Sequence, residues 1–311
     1  MKERYIREIL SGFPYPITAY FTKLGTDECL DPGPLRLKYL LATGEAVGRF
    51  LGVVVLAEVR DRLEEPGAPS LPASLVSDFA KRYRSPSWGN WLHFAREGLK
   101  WLSLGGVSLV MPELTGFYFG KFPAESEAAE ALGKMLTLRN GLSHERIRAM
   151  TGREFQGLCE EAEPLLEAVL TALAFLPDHE LVFVSRIEVT KRRRTPASFL
   201  HRLSRIVGDS SDFRGDRKTL PRYLDPGCIL LEGEGERLLN LDPFLVYEPS
   251  AGKAPDVFFY DGFKRAGSAE YVACNHGGGF GSAAAERGGE LWEEAAYLLR
   301  LVTGEAPGQG A

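Results

Sequence analysis

Apolar residues recur at three- and four-residue spacing from the N-terminus to about Phe175, and past Pro177-Asp178-His179 that period stops. A 3.6-residue repeat buries one stripe of a helix, whereas short runs of strand-formers bury as sheet, so the switch predicts helices first and strands second. The runs are Leu181-Val182-Phe183-Val184, Cys228-Ile229-Leu230-Leu231, Phe244-Leu245-Val246-Tyr247, Val257-Phe258-Phe259-Tyr260 and Tyr271-Val272-Ala273, separated by glycine, proline and charge. A last helix is expected from Gly289 to about Val302, ahead of a Gly/Pro/Ala tail. The expected fold class is α+β: a helical domain over residues 1–177, a β-rich domain with a C-terminal helix over 178–303, and a flexible tail over 304–311. No internal repeat is visible.

Within the helical half, Asp31-Pro32-Gly33-Pro34 reads as a stop followed by a proline in the first turn of a helix running to about Leu63. Ala42, Gly44, Gly48 and Gly52 give that helix a stripe of small residues, which permits close approach of a neighbouring helix and does not imply a nucleotide loop. Glu64-Glu65-Pro66-Gly67-Ala68-Pro69 is a connector. Ser85-Pro86-Ser87-Trp88-Gly89 reads as the cap and first turn of a helix whose Trp91, Phe94, Leu99 and Trp101 are core residues. The glycine- and aromatic-rich stretch from Ser103 to Phe122 is expected to be a loop over the bundle that can include a short extended piece. Thr151-Gly152-Arg153-Glu154 has capping-box spacing and opens a helix to about Phe175, with Leu158, Leu165, Leu166, Val169 and Leu173 on its apolar face.

With 311 residues, 44% of them hydrophobic, the chain can bury a real core, which excludes a disordered or fibrous protein. The formal net charge of -5 supplies no global basic field, so any contact with RNA must be local. Cys29, Cys159, Cys228 and Cys274 are widely spaced and form no Cys-x-x-Cys pair, which argues against a zinc knuckle or a disulfide framework and suits a reducing cytoplasm. Met1-Lys2-Glu3-Arg4 leads into a polar segment containing Pro14 and Pro16, unlike a secretory signal. The longest apolar run, Val53 to Ala57, lies between Arg49 and Glu58 and is too short to span a bilayer. A cytoplasmic protein without a membrane partner is expected.

The densest concentration of reactive side chains is Leu138-Arg139-Asn140-Gly141-Leu142-Ser143-His144-Glu145. On one continuous helix Asn140 and His144 would share a face, and Arg139 has the reach to join them on a phosphate. Cleaving RNA without a metal requires a base for the 2′-hydroxyl proton, an acid at the leaving 5′-oxygen and a cation for the phosphoryl oxygens. His144 can serve as base or acid, because imidazole titrates near neutrality. Arg139 offers a forked, permanently charged donor set, and Asn140 can orient the histidine or a phosphate oxygen. Glu145 points elsewhere on a helix, and Gly141 warns of irregularity. One histidine cannot easily be acid and base in the same step, so a second copy of the segment from another subunit is the simplest source of the partner, and a homodimer is expected.

Arg139-Asn140-x-x-x-His144 at the end of a short helix, inside a helical bundle and followed by another long helix, resembles the HEPN superfamily (higher eukaryotes and prokaryotes nucleotide-binding). Phe13-Pro14-Tyr15-Pro16-Ile17 and Ser85-Pro86-Ser87-Trp88-Gly89-Asn90-Trp91 are similar to the helical N-terminal portion of bacterial proteins of this kind. The resemblance covers about the first half of the chain. It implies an all-α bundle, metal-independent endoribonuclease activity in toxin–antitoxin or antiviral systems, no cofactor, a dimer with the active site across its interface, and Arg139, Asn140 and His144 as the site. Some members of the superfamily are non-catalytic binding modules. The β-rich half resembles domains that follow such modules, with Leu241-Asp242-Pro243-Phe244-Leu245-Val246-Tyr247-Glu248 as the recognisable stretch. Related chains carry a Cys-x-x-Cys pair after it, where Pro249-Ser250-Ala251-Gly252 stands here.

Lys191-Arg192-Arg193-Arg194, following a strand and preceding Thr195-Pro196, is the sharpest basic cluster and a candidate RNA-backbone contact, although without interleaved aromatics it cannot read bases. Arg202, Arg205, Arg214, Arg217, Lys218 and Arg222 extend its positive character. Glu232-Gly233-Glu234-Gly235-Glu236 reads as a solvated hairpin turn. Cys274 and His276, in Cys274-Asn275-His276-Gly277-Gly278-Gly279, are too few for a tetrahedral zinc site, and no metal is expected. His93, His179 and His201 show no partner in sequence and read as structural or solvated.

Overall fold

A computed structural model describes residues 3–142, 144–220, 223–233, 237–248, 255–265, 267–274 and 285–303, and at His144, Arg146, Lys264, Arg265 and residues 285–288 it describes the backbone alone. Helices α1 (Glu3–Gly12) and α2 (Tyr15–Phe21) are followed by two 3-10 turns and then α3 (Pro34–Glu64). Proline at the first position of α3 removes an N–H that has no helical partner there, so the start falls where the sequence marks it. Next come α4 (Ala73–Arg82) and α5 (Trp88–Leu104). Ser87 caps α5 through a reciprocal pair, with Asn90 N donating to Ser87 Oγ at 3.4 Å and Ser87 N to Asn90 Oδ1 at 2.9 Å.

The stretch from Ser103 to Phe122 contains the short extended piece expected there, β1 (Phe119–Lys121), which pairs with β2 (Ala124–Glu125) just beyond it, but it also holds an unexpected helix, α6 (Glu113–Tyr118). Its Leu114, Phe117, Tyr118 and Phe119 are buried, and an apolar face of that size folds onto the bundle despite the nearby glycines. Then follow α7 (Glu127–Asn140), α8 (His144–Ala149) and α9 (Gly152–Ala172). The capping box of α9 forms as expected, with Thr151 N donating to Glu154 Oε2 at 2.8 Å, and the helix ends three residues before Phe175.

The strand region is antiparallel throughout. One sheet has the order β5 (Gly215–Leu220), β4 (Thr195–Arg205), β3 (Glu180–Arg192), β6 (Ile229–Glu232), β7 (Leu238–Asn240), and a second runs β8 (Leu245–Glu248), β9 (Asp256–Arg265), β10 (Ser268–Ala273). Each of the five apolar runs lies within or overlaps a strand, while the more polar β4 and β5 and the three-residue β7 carry no such run. Helix α10 (Ala285–Thr303) starts four residues before Gly289 and packs on α4 and β10.

Helix α3 runs through the middle, against α2, α5, α7 and α9. It is long and apolar enough to cross a membrane, which corrects the reading of Val53–Ala57 as the apolar limit, and 83% of its most apolar window is buried inside the fold. The charges at its flanks are paired: Arg49 with Glu45 and Asp261, and Glu58 with Arg237. The small-residue stripe does what close packing requires. A Cβ on Gly48 would lie 2.6 Å from Trp88 Nε1, and one on Gly52 would lie 2.9 Å from the Trp91 ring. Gly48→Val is therefore expected to cost about 2 kcal/mol through overpacking, read as a lower urea midpoint at unchanged slope.

Helix α9 ends at Ala172, a 3-10 turn spans Leu176–Asp178 and β3 begins at Glu180, and the core crosses this change from helix to strand. One cluster of buried residues runs from Ile9 and Phe50 to Leu181, Ile229, Phe244, Tyr260 and Leu298. Tyr83 stacks on Tyr260 with centroids 5.2 Å apart, and Arg60 donates to the carbonyls of Asn240, at 2.7 Å, and Asp242.

Candidate functional site

Arg139 and Asn140 form the last turn of α7, and both are exposed. The helix stops there because Gly141 takes the C-cap: its N–H reaches the carbonyls of Thr137 and Leu138, both at 3.1 Å. Leu142 N then donates to Arg139 O at 3.2 Å, and α8 begins at His144. Asn140 and His144 thus belong to different helices, which corrects the expectation that one helical face presents both. The Ser143 residue and the His144 side chain lie outside what is described. Arg139 Nη1 lies 3.5 Å from Asn140 Oδ1, a long contact that leaves the guanidinium largely uncommitted.

Both residues border a cleft of about 500 Å³ between α7, α3 and the first turn of α9. Its floor is apolar, from Leu37, Leu41 and Phe155. Its polar lining comprises Lys38, Arg139, Asn140 and Glu45, the last held by Arg49 at 3.0 Å. Pro34 and Leu37 bring the N-terminal turn of α3 to the same lining, and Gly33 has no side chain to cap it, so its amides leave a partial positive charge there. Lys38, the α3 terminus and Arg139 together suit an anion, and Asn140 adds a neutral donor and acceptor. Sequence reasoning missed Lys38, which is about a hundred positions from Arg139 and comes to line the same cleft only through helix packing.

Lys191, Arg192, Arg193 and Arg194 do not line this cleft. They form the exposed tip of the β3–β4 hairpin, where Arg192 pairs in register with Thr195. Among the flanking cations, Arg202 binds Glu188 at 2.6 Å, Lys218 binds Glu232 at 3.0 Å and Arg205 pairs with Glu180, while Arg222 lies outside the described residues.

All three of the isolated histidines gain partners, His201 through its Nδ1 at 3.0 Å from the Phe199 carbonyl and the other two through carboxylates. His93 Nε2 lies 3.1 Å from Asp78, and the buried His179 Nε2 lies 3.0 Å from Glu113. Cys274 is buried, and loss of solvent, together with nearby Asp256, pushes its thiol well up from the ordinary range. Such a thiol is a poor nucleophile. Residues 275–279, the Pro249–Gly252 stretch and residues 234–236 of the acidic turn lie outside the described residues. Among the described residues no group of three or more His, Cys, Asp or Glu is placed to hold a metal ion. A larger cleft, about 990 Å³, lies between α1 and the β4–β5 connection, but three of its charged groups already hold partners: Arg7 with Glu3, Arg205 with Glu180, and His179 with Glu113.

Comparison of the chain with protein-family models, with curated proteins and with solved structures returns no match.

Proposed function

We propose that this chain is a metal-independent endoribonuclease of a bacterial defence or toxin type, acting as a homodimer. The observation that carries the reading is the side-by-side exposure of Arg139 and Asn140 on a cleft that also receives Lys38 and the positive end of α3, with His144 opening the next helix. Arg139 grips the scissile phosphate and offsets the charge that builds on its oxygens. His144 from one subunit takes the 2′-hydroxyl proton, O2′ attacks phosphorus, and the 5′-oxygen leaves with a proton from the second subunit's copy of the same histidine. The products are a 2′,3′-cyclic phosphate and a 5′-hydroxyl. Asn140 orients the phosphate or the imidazole. The resemblance to the HEPN superfamily supports this assignment, and it makes an antitoxin or regulatory protein a natural partner of the β-rich region.

The test is incubation of the purified chain with structured and single-stranded RNA in EDTA, with the new ends mapped. Cleavage leaving cyclic-phosphate ends, lost in a normally folded His144→Ala variant, is the expected result. No cleavage by a dimeric native chain overturns it.

A second reading, a non-catalytic nucleotide- or RNA-binding dimerisation module, is favoured by the break at Gly141, which puts Asn140 and His144 on separate helices. It predicts that His144→Ala leaves RNA binding intact and that neither form cuts.

A further inference from the structure

Strand β3 is buried only as far as Val184. From Ser185 to Arg192, and from Thr195 to Leu200 on β4, every residue is exposed or half-buried, while His201, opposite Ile187, is fully buried and roots the base, so the hairpin projects as an arm from Glu188 onward. At about 3.4 Å per residue, the four steps from Glu188 to Arg192 make the projecting part about 14 Å long. Residues 185–202 and 214–220 hold nine lysines and arginines against two carboxylates, in a chain whose formal net charge is -5.

The two faces of the hairpin differ. On one, Arg186 lies opposite Arg202 and Arg202 opposite Arg217, a row of three guanidinium groups across three strands. Like charges directly opposite one another disfavour the sheet, and Glu188 is the carboxylate that intervenes. Arg202 binds it at 2.6 and 3.1 Å and, with Arg186 and Arg217 nearby, holds that carboxyl below its ordinary range. Such a row is relieved by an external anion. On the other face Val189 lies opposite Phe199, Phe199 opposite Leu220, and Tyr223 meets Phe199 edge-on at 6.0 Å. Val189 is 56% exposed and Tyr223 53%, so an apolar and aromatic surface stands open beside the four cations of the tip.

We propose that this arm is a platform for single-stranded RNA, in which the tip and the arginine row take backbone phosphates while Tyr223 and Phe199 stack on unpaired bases. The choice of RNA as partner rests on the function proposed above, but the platform does not depend on turnover. Cations alone would suit any polyanion, whereas aromatic faces add stacking that a duplex, with its bases already stacked, cannot use. The aromatic partner that the basic tetrad lacks in sequence is supplied by Phe199, which the hairpin folds back, and by Tyr223, beyond β5.

The test is fluorescence anisotropy with a labelled 12-nucleotide oligouridylate and with a 12-base-pair RNA duplex. The protein is the full chain carrying His144→Ala, in EDTA, which keeps the probes intact. Replacing Arg192, Arg193 and Arg194 together by serine should weaken binding of the single strand at least tenfold and reduce the slope of log K against log salt by about 2. Tyr223→Ser should weaken it about fivefold or more and leave the salt slope unchanged. The side chains of Arg192, Arg193, Arg194 and Tyr223 are exposed, and thermal transitions matching that of the His144→Ala parent confirm that the variants fold. Equal affinity for duplex and single strand, or indifference to Tyr223→Ser, overturns the platform. Binding of polyglutamate or phosphatidylserine vesicles as tight as that of RNA overturns it in favour of an acidic protein or a membrane. If the native chain binds but does not cut, the nuclease falls and the platform stands. If it cuts while the arm variants bind as the parent does, the platform falls and the nuclease stands.

Discussion

Arg139→Ala is expected to lower RNA cleavage at least a hundredfold while moving the stability of the fold by no more than about 0.5 kcal/mol. The guanidinium is exposed, pairs with no carboxylate among the described residues, and touches Asn140 only at 3.5 Å. Removing it therefore withdraws little from the folded state. What disappears is a forked cation at the cleft mouth, and Lys38 cannot replace it, since an ammonium is a point charge without the paired geometry of a guanidinium. Arg139→Lys should accordingly recover only part of the rate. The measurement is single-turnover cleavage of a defined RNA, with urea unfolding run in parallel. A variant that cuts normally would remove Arg139 from the site, and one that unfolds would show that its role is structural.

Glu58→Ala is expected to cost about 2–3 kcal/mol, seen as a large drop in the urea midpoint. Its side chain is 1% exposed, and one carboxylate oxygen accepts from the Val110 amide while the other takes Arg237 Nη2 at 2.9 Å. Alanine leaves a buried N–H without its acceptor and a half-buried cation without its counter-charge. Arg237 also donates to the Ser108 carbonyl and has some access to water, which keeps the cost below that of a fully buried pair. Burial is the dominant influence on the Glu58 carboxyl and pushes it above the ordinary value of 4.5, against the pull of Val110 and Arg237. The folded state therefore holds this proton more tightly than the unfolded one. The stability linked to that bound proton is full below the ordinary glutamate range and is lost as pH rises through the raised value. The native chain should lose stability over that interval with a slope that Glu58→Gln lacks.

The legible parts of the fold are those where one short stretch carries its own physical reason. Pro34 marks the start of α3, Thr151 and Glu154 cap α9, and the apolar runs at Leu181, Ile229 and Val257 become strands, because capping, proline geometry and side-chain period are local properties. Strands β4 and β5 were not legible. Their residues, among them Arg202, Arg217 and Lys218, become strand through pairing with β3, and polar positions on a projecting arm leave no apolar run to detect. The stretch from Ser103 to Phe122 misled for a related reason: its glycines are visible in sequence, but the core that receives Phe117 and Tyr118 is not.

At the site, the sequence by itself determined which reactive groups are adjacent. Arg139, Asn140 and His144 are neighbours along the chain in any fold, and Gly141 between them already signalled a break. Tertiary structure decided the rest. It ended α7 at Asn140, brought Lys38 and the α3 terminus across from a distant part of the chain, buried Glu58 against Arg237, and set Phe199 and Tyr223 beside the basic tip. The division follows from the range of the forces involved. Turn and helix preferences act over a few residues and are written locally, whereas burial, charge pairing and cleft shape depend on which distant segments a shared core draws together.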